Sequence, residues 1–137
     1  MTYELEFKVR DYECDLQGIV NNSNYLRYFE HTRHEFIKNK LNLDFADLHS
    51  QGIDLVVYRV EIDYKLSLKS GDIFVSKLKT GKEGLLKTIF FQEIYRKKDN
   101  KLASKAKTTV VTVKNGRPVR PIILSTNKII WSHNFNV

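Results

Sequence analysis

The residues best able to do chemistry lie together between positions 12 and 29, in the stretch YECDLQGIVNNSNYLRYF. Asp15 places a carboxylate in a short loop with apolar flanks, and Gly18 follows three residues later. The polar run Asn21, Asn22, Ser23 and Asn24 then opens into a helical pattern. A carboxylate beside the start of a helix suits acyl chemistry. The acid can act as base or nucleophile, and the unpaired N–H groups of the first helical turn can hold a developing oxyanion. Taken alone, an aspartate here is an ordinary turn cap and Gly18 an ordinary turn glycine. The whole stretch, set between a strand and a helix, carries the chemical reading.

Other reactive side chains offer less. Cys14 has no partner base in view, and its acidic neighbours Glu13 and Asp15 oppose formation of a thiolate. His31 and His34 stand three apart, which is not the spacing of a His-Glu-x-x-His zinc site, so no metal site is expected. His49 and His133 are isolated. No Ser-His-Asp or Cys-His set is evident.

The elements that must position this stretch are legible from periodicity. Tyr3, Leu5, Phe7 and Val9 alternate with Glu4, Glu6, Lys8 and Arg10, the pattern of a half-buried strand. A loop over 11–22 leads to a helix over 23–41, capped by Asn22 or Ser23, with Tyr25, Leu26, Tyr28, Phe29, Phe36, Ile37 and Leu41 at helical spacing. A short connector ends at Gly52. The next strand carries Val56, Tyr58, Val60, Ile62, Tyr64 and Leu66 on one face. Turns at 70–72, at Gly81–Gly84 and at Asp99–Asn100 separate strands over 73–80, 85–97 and 102–114. Asn115-Gly116 closes the last strand, and the apolar residues of the tail, Ile122 to Trp131, are expected to pack. Strand, helix and four further strands joined by short turns predict an α+β fold, an antiparallel sheet wrapped around one long central helix.

Bulk properties agree. The 137 residues make one domain over 1–137, with 42% hydrophobic and 28% charged residues excluding a disordered chain. One cysteine excludes an internal disulfide. Without a leader-like or membrane-spanning apolar run, a cytoplasmic protein is expected. The net charge of +7 is dispersed, with its tightest group at Arg96, Lys97, Lys98 and Lys101, which suits an anionic small ligand better than a nucleic acid.

The segment from Asp15 to Glu30, DLQGIVNNSNYLRYFE, resembles the signature of the 4-hydroxybenzoyl-CoA thioesterase family and its acyl-CoA thioesterase relatives, proteins of hotdog fold. That resemblance implies hydrolysis of an acyl-CoA to free acid and coenzyme A, with coenzyme A present only as part of the substrate and no other cofactor. It implies Asp15 as the catalytic carboxylate, by general-base or nucleophilic attack, and the Asn22 backbone N–H as the group that polarises the carbonyl. Gly18 belongs to the same motif. Tyr25 is a candidate wall of the acyl pocket. Thr88 and Lys87 fall where relatives place groups near the acyl or cofactor end, and Lys82, Lys87, Arg96 and Lys97 are candidates for the nucleotide phosphates, with plain surface positions as the alternative. Where many relatives carry histidine, this chain has Ile19, which bears on substrate class. A homodimer, possibly a tetramer, is implied, because sites in the family form between subunits. The alternatives are an acyl-carrier-protein thioesterase and a non-catalytic acyl-CoA-binding module. The absence of a recognisable motif argues against a nucleic-acid binder.

Overall fold

The computed structural model describes residues 2–121. Strand β1, Tyr3–Lys8, is followed by a 3₁₀ turn at Asp11–Glu13 and the long helix α1, Asn22–Lys40. A second short helix, α2, spans Phe45–Ser50. Four strands follow: β2, Ile53–Tyr64; β3, Ile73–Glu83; β4, Lys87–Arg96; and β5, Lys101–Lys114. A three-residue strand β6, Arg117–Val119, ends the described chain. All pairings are antiparallel, in the order β1-β3-β4-β5-β2, with β6 added to β5. The sheet curls around α1, the expected fold class.

Helix α1 forms where the periodicity places it, but its cap is Asn21, whose side chain accepts from the Ser23 N–H. It buries Tyr25, Tyr28, Phe29, Thr32, Arg33, Phe36 and Ile37, whereas Leu26 is 45% exposed. The two polar members of this face divide the core. One apolar cluster gathers around Phe36, Ile37, Leu78 and Phe90, the other around Tyr28, Phe29, Phe74 and Ile94. Between them runs a layer of hydrogen bonds. Thr32 Oγ1 lies 2.8 Å from Ser76 Oγ, Gln92 Nε2 donates to the Phe29 carbonyl at 2.9 Å, and Arg33 Nη1 donates to Gln92 Oε1 at 3.1 Å.

Three boundaries depart from the pattern. Strand β3 continues through Gly81 to Glu83, so the turn falls at Gly84–Leu86, with Gly84 at φ +64°. Strand β6 forms beyond the Asn115-Gly116 turn, with Pro118 inside it opposite Val113. Strand β2 begins at Ile53, and a bulge between Val57 and Arg59 breaks its alternation. Val57 pairs with buried Val110 and Val60 with buried Thr108, so the extra residue swaps the faces on either side. Val56, Tyr58 and Val60 therefore do not share one face. The apolar residues expected in the 122–131 tail lie outside the described residues.

Candidate active site

Asp15 sits on a small hairpin. The Asn21 N–H donates to the Glu13 carbonyl at 3.1 Å, Cys14 bridges Val20, and the Asp15 N–H donates to the Ile19 carbonyl at 2.9 Å. Gly18 turns the hairpin at φ +79°, where an L side chain is strained, and a Cβ there would meet nothing within 4 Å. Its role is backbone conformation rather than close packing. The Val20 N–H donates to Leu68 at 2.8 Å and Asn24 Nδ2 to the Glu13 carbonyl at 2.7 Å, which ties the hairpin to the sheet and to the first turn of α1.

The two oxygens of Asp15 differ. Oδ1 accepts from the Gln17 N–H at 2.8 Å and more weakly from the Ile19 N–H at 3.4 Å. Oδ2 has no hydrogen-bond partner among the described residues, and the residue is exposed. The turn-capping role and the chemical role therefore coexist: one oxygen orients the carboxylate and the other is free to take a proton.

At the start of α1 the Asn21 side chain occupies the Ser23 N–H, and the Asn24 N–H donates to the Asn21 carbonyl. The Asn22 N–H has no acceptor among the described residues. It stands at the positive end of the helix dipole, where an oxyanion is favoured. Asp15 and Asn22 are separated by about three steps of the hairpin ladder, on the order of 10 Å at the usual strand rise.

Tyr25 does not line an open pocket. It is 3% exposed, its hydroxyl lies 3.4 Å from the Leu66 carbonyl, and it accepts from the Leu68 N–H at 3.3 Å. Burial pushes its pKa up, so it remains a neutral pin between helix and loop. The exposed aromatic at this place is Tyr64, whose ring centroid lies 5.4 Å from that of Tyr25 and whose hydroxyl is 3.5 Å from the Asn22 carbonyl. Sequence reading assigned Tyr64 to a strand face and missed this contact. Its only signal is its place as the last residue of β2.

The structure does not bring Lys82, Lys87 or Thr88 to Asp15 within one protomer. Lys82 pairs with Thr88 at the far end of β3, whereas the Asp15 loop adjoins the Ile73 end. Nine strand residues span about 30 Å. Lys87 Nζ lies 3.8 Å from Glu83 and 5.1 Å from the Tyr58 ring centroid, and Thr88 is buried opposite Val110. Burial is the main cause raising the Cys14 pKa, with the carboxylates of Asp11, Asp15 and Glu13 adding to it. His31 pairs with Glu35 at 3.7 Å and His34 packs on Phe45. Among the described residues no group of three or more His, Cys, Asp or Glu could hold a metal, and no helix is long and apolar enough to cross a membrane.

The model of the thioesterase-like superfamily matches residues 9–123. A putative esterase of Aquifex aeolicus is 38% identical over 113 residues, covering 82% of this chain and 85% of that protein. The chloroplastic acyl-acyl carrier protein thioesterase ATL2 of Arabidopsis thaliana is 34% identical over 119 residues, covering 86% of this chain; the chain spans 63% of that relative's length. In fold, the chain is similar to a 1,4-dihydroxy-2-naphthoyl-CoA thioesterase from Synechocystis, with a TM-score of 0.82 at 18% identity over 88% of this chain and 89% of that one.

Proposed function

The chain belongs to the thioesterase-like superfamily, and from that premise we propose that it hydrolyses an acyl-CoA to free acid and coenzyme A. The observation that carries this reading is the pairing of a carboxylate having one oxygen anchored and one oxygen free with an unbonded amide at the start of α1. The thioester carbonyl accepts from the Asn22 N–H, which stabilises the charge that builds on oxygen. Asp15 Oδ2 takes a proton from water as that water attacks the carbon, and the thiolate of coenzyme A leaves. Direct attack of the carboxylate on the carbonyl carbon, giving a mixed anhydride that water then opens, is the alternative route.

The working unit is a homodimer. Strand β2 is an edge of the sheet among the described residues, twelve residues long, with Val56, Val57, Tyr58, Val60 and Tyr64 exposed. Such an edge invites pairing. A two-fold axis through the middle of β2 sets the Ile53 end of one strand beside the Tyr64 end of the other. Across that junction the partner's Lys82 and the partner's Lys87 come to the side of the site that their own protomer keeps distant, and there serve as substrate contacts, whereas Thr88 is a core residue and takes no part.

Release of free thiol from a panel of acyl-CoA thioesters tests the reading, with Asp15→Asn as the control. Turnover of at least one acyl-CoA, abolished by that substitution, is expected. The name of the Arabidopsis relative favours one second reading, an acyl-carrier-protein thioester as substrate. A matched acyl-carrier substrate in the same panel decides between them. Tight acyl-CoA binding without turnover would instead identify a non-catalytic module.

A further inference from the structure

We propose that the cleft between β1 and α1, behind the Asp15 hairpin, binds the phosphorylated nucleotide end of coenzyme A. The proposal rests on the acyl-CoA reading and gives that substrate a second point of attachment.

The cleft has a volume of about 410 Å³, and its polar lining includes Glu6, Lys8, Arg10, Glu13, Arg27 and His31. That volume falls within the usual range for small-molecule sites, about 300–1,000 Å³. Of its two carboxylates, Glu6 is held by Lys97 Nζ at 2.5 Å, and Glu13 Oε1 accepts from the Arg10 backbone N–H at 2.8 Å. Glu6 is thus paired, Glu13 keeps its charge, and the Arg27 guanidinium has no ion-pair or hydrogen-bond partner among the described residues, so Lys8, Arg10 and Arg27 outweigh the one unpaired acid. The cleft presents cations that its own acids do not neutralise, the condition for holding a phosphate.

A second observation points the same way. Tyr28 lines this cleft and is 4% exposed, and its hydroxyl is the one buried side-chain polar atom without a hydrogen-bond partner among the described residues. An orphaned buried hydroxyl is costly unless something completes it. Burial and the Glu13 carboxylate beside the hydroxyl keep the phenol protonated; that contact falls outside hydrogen-bond geometry, so the hydroxyl can still donate to a better-placed acceptor. Its ring is fixed by Phe7 and Phe74, at centroid distances of 5.6 and 4.8 Å. At the rim, Tyr12 is 73% exposed and its hydroxyl accepts from Arg10 Nη1 at 2.8 Å. An exposed ring backed by a guanidinium is a platform on which a nucleobase can stack. A donor at the base, cations on the walls and an aromatic face at the rim match a phosphorylated adenosine. Arg10 is five residues from Asp15, within about 17 Å by chain reach, so one substrate can engage both.

Calorimetric titration with adenosine 3′,5′-bisphosphate tests the cleft without any thioester. The full chain is expected to bind it. The double variant Arg10→Gln with Arg27→Gln should lose at least tenfold in affinity, and Tyr28→Phe severalfold. Lys38→Gln with Lys40→Gln, which removes the same charge from the far end of α1, should change it less than twofold. Equal losses in the two double variants would mean diffuse attraction and overturn the proposal, as would binding indifferent to both the arginine pair and Tyr28→Phe. In turnover, the arginine variant should raise KM for an acyl-CoA at least tenfold with kcat kept, and leave the matching acyl-N-acetylcysteamine thioester unaffected. An equal rise on both substrates overturns it. A bisphosphate that does not bind, with arginine-dependent hydrolysis of an acyl-carrier substrate, also overturns it and makes the cleft a carrier dock. If neither thioester is hydrolysed, the enzymatic reading fails while the titration still decides the cleft.

Discussion

Arg33 Nη1 donates to Gln92 Oε1 at 3.1 Å inside the protein, and no carboxylate pairs with this guanidinium among the described residues. Thr108 Oγ1, at 3.5 Å, is its only other acceptor among the described residues. Burial lowers the Arg33 pKa, with Glu30 opposing. The charge is thus carried by neutral acceptors in the layer that divides the two apolar clusters. Removing the acceptor and removing the cation should differ in cost. Gln92→Leu leaves the cation stranded and the Phe29 carbonyl unpaired, and is expected to destabilise by about 3 kcal/mol or more. Arg33→Met, of similar length and uncharged, should cost less than about 2 kcal/mol, because the desolvation penalty goes with the charge. Urea unfolding of the two variants measures the difference, and the reverse ranking would refute this account of the layer.

Asp15→Asn isolates the proton-accepting role. The amide oxygen can still accept from the Gln17 N–H, so the hairpin is kept while the base is lost. Turnover should fall by about a hundredfold or more, with the melting temperature changed little. Cys14→Ser should stay active, since the thiol packs at the edge of a core cluster and its thiolate is disfavoured. A collapse of activity in the serine variant, with Asp15→Asn unaffected, would transfer the chemistry to the thiol.

The sequence made the backbone of the site legible because its determinants are local. Asp15, Gly18 and the polar run before α1 fix a turn and a helix start within a dozen residues, and periodicity places the helix to within one residue at each end. What depends on distant partners was not legible. Tyr25 reads as a pocket wall, but the chain at Leu66–Leu68 returns to bond its hydroxyl. Lys82 and Lys87 read as neighbours of the site because they flank the turn into a strand expected to lie beside it, whereas an eleven-residue strand carries them to the opposite end of the sheet. The bulge after Val57 inverts the faces of β2, and no residue type there announces it. Thr32 and Arg33 are absent from the apolar spacing of α1, and only the distant residues Ser76, Gln92 and Thr108 that face them make them part of its buried side.

The turn between β4 and β5 gives a pH dependence. Arg96 Nε and Nη2 donate to Asp99 at 3.0 and 2.5 Å, and this pairing holds the Asp99 carboxyl down at about 2. The folded pKa is depressed below its unfolded value, so the contribution to stability is present above about 4 and is lost as pH falls through about 2. The difference in melting temperature between the wild type and Asp99→Asn should be constant from neutral pH to about pH 5, shrink between pH 4 and pH 2, and decrease with added salt. A difference independent of pH across that window would show that the substitution acts on turn conformation instead.

The β2 edge makes the assembly testable apart from the chemistry. Val57 and Val60 are 46% and 37% exposed beside the curled face, and Tyr58 is 65% exposed at the bulge between them. Closing this edge against a second copy buries apolar area and satisfies a row of backbone groups, which favours association. Tyr58→Lys with Val60→Lys sets like charges against each other across the two-fold axis and leaves the core clusters untouched. Sedimentation is expected to show a dimer for the wild type at micromolar concentration and a monomer for the variant. The monomer should stay folded by circular dichroism and lose most of its turnover, because in the proposed dimer the far wall of each site comes from the partner. Its affinity for adenosine 3′,5′-bisphosphate should be unchanged, since the β1–α1 cleft lies within one protomer. A fully active monomer would show that Asp15 and Asn22 suffice without a second subunit. A variant that remains dimeric would place the contact on another surface.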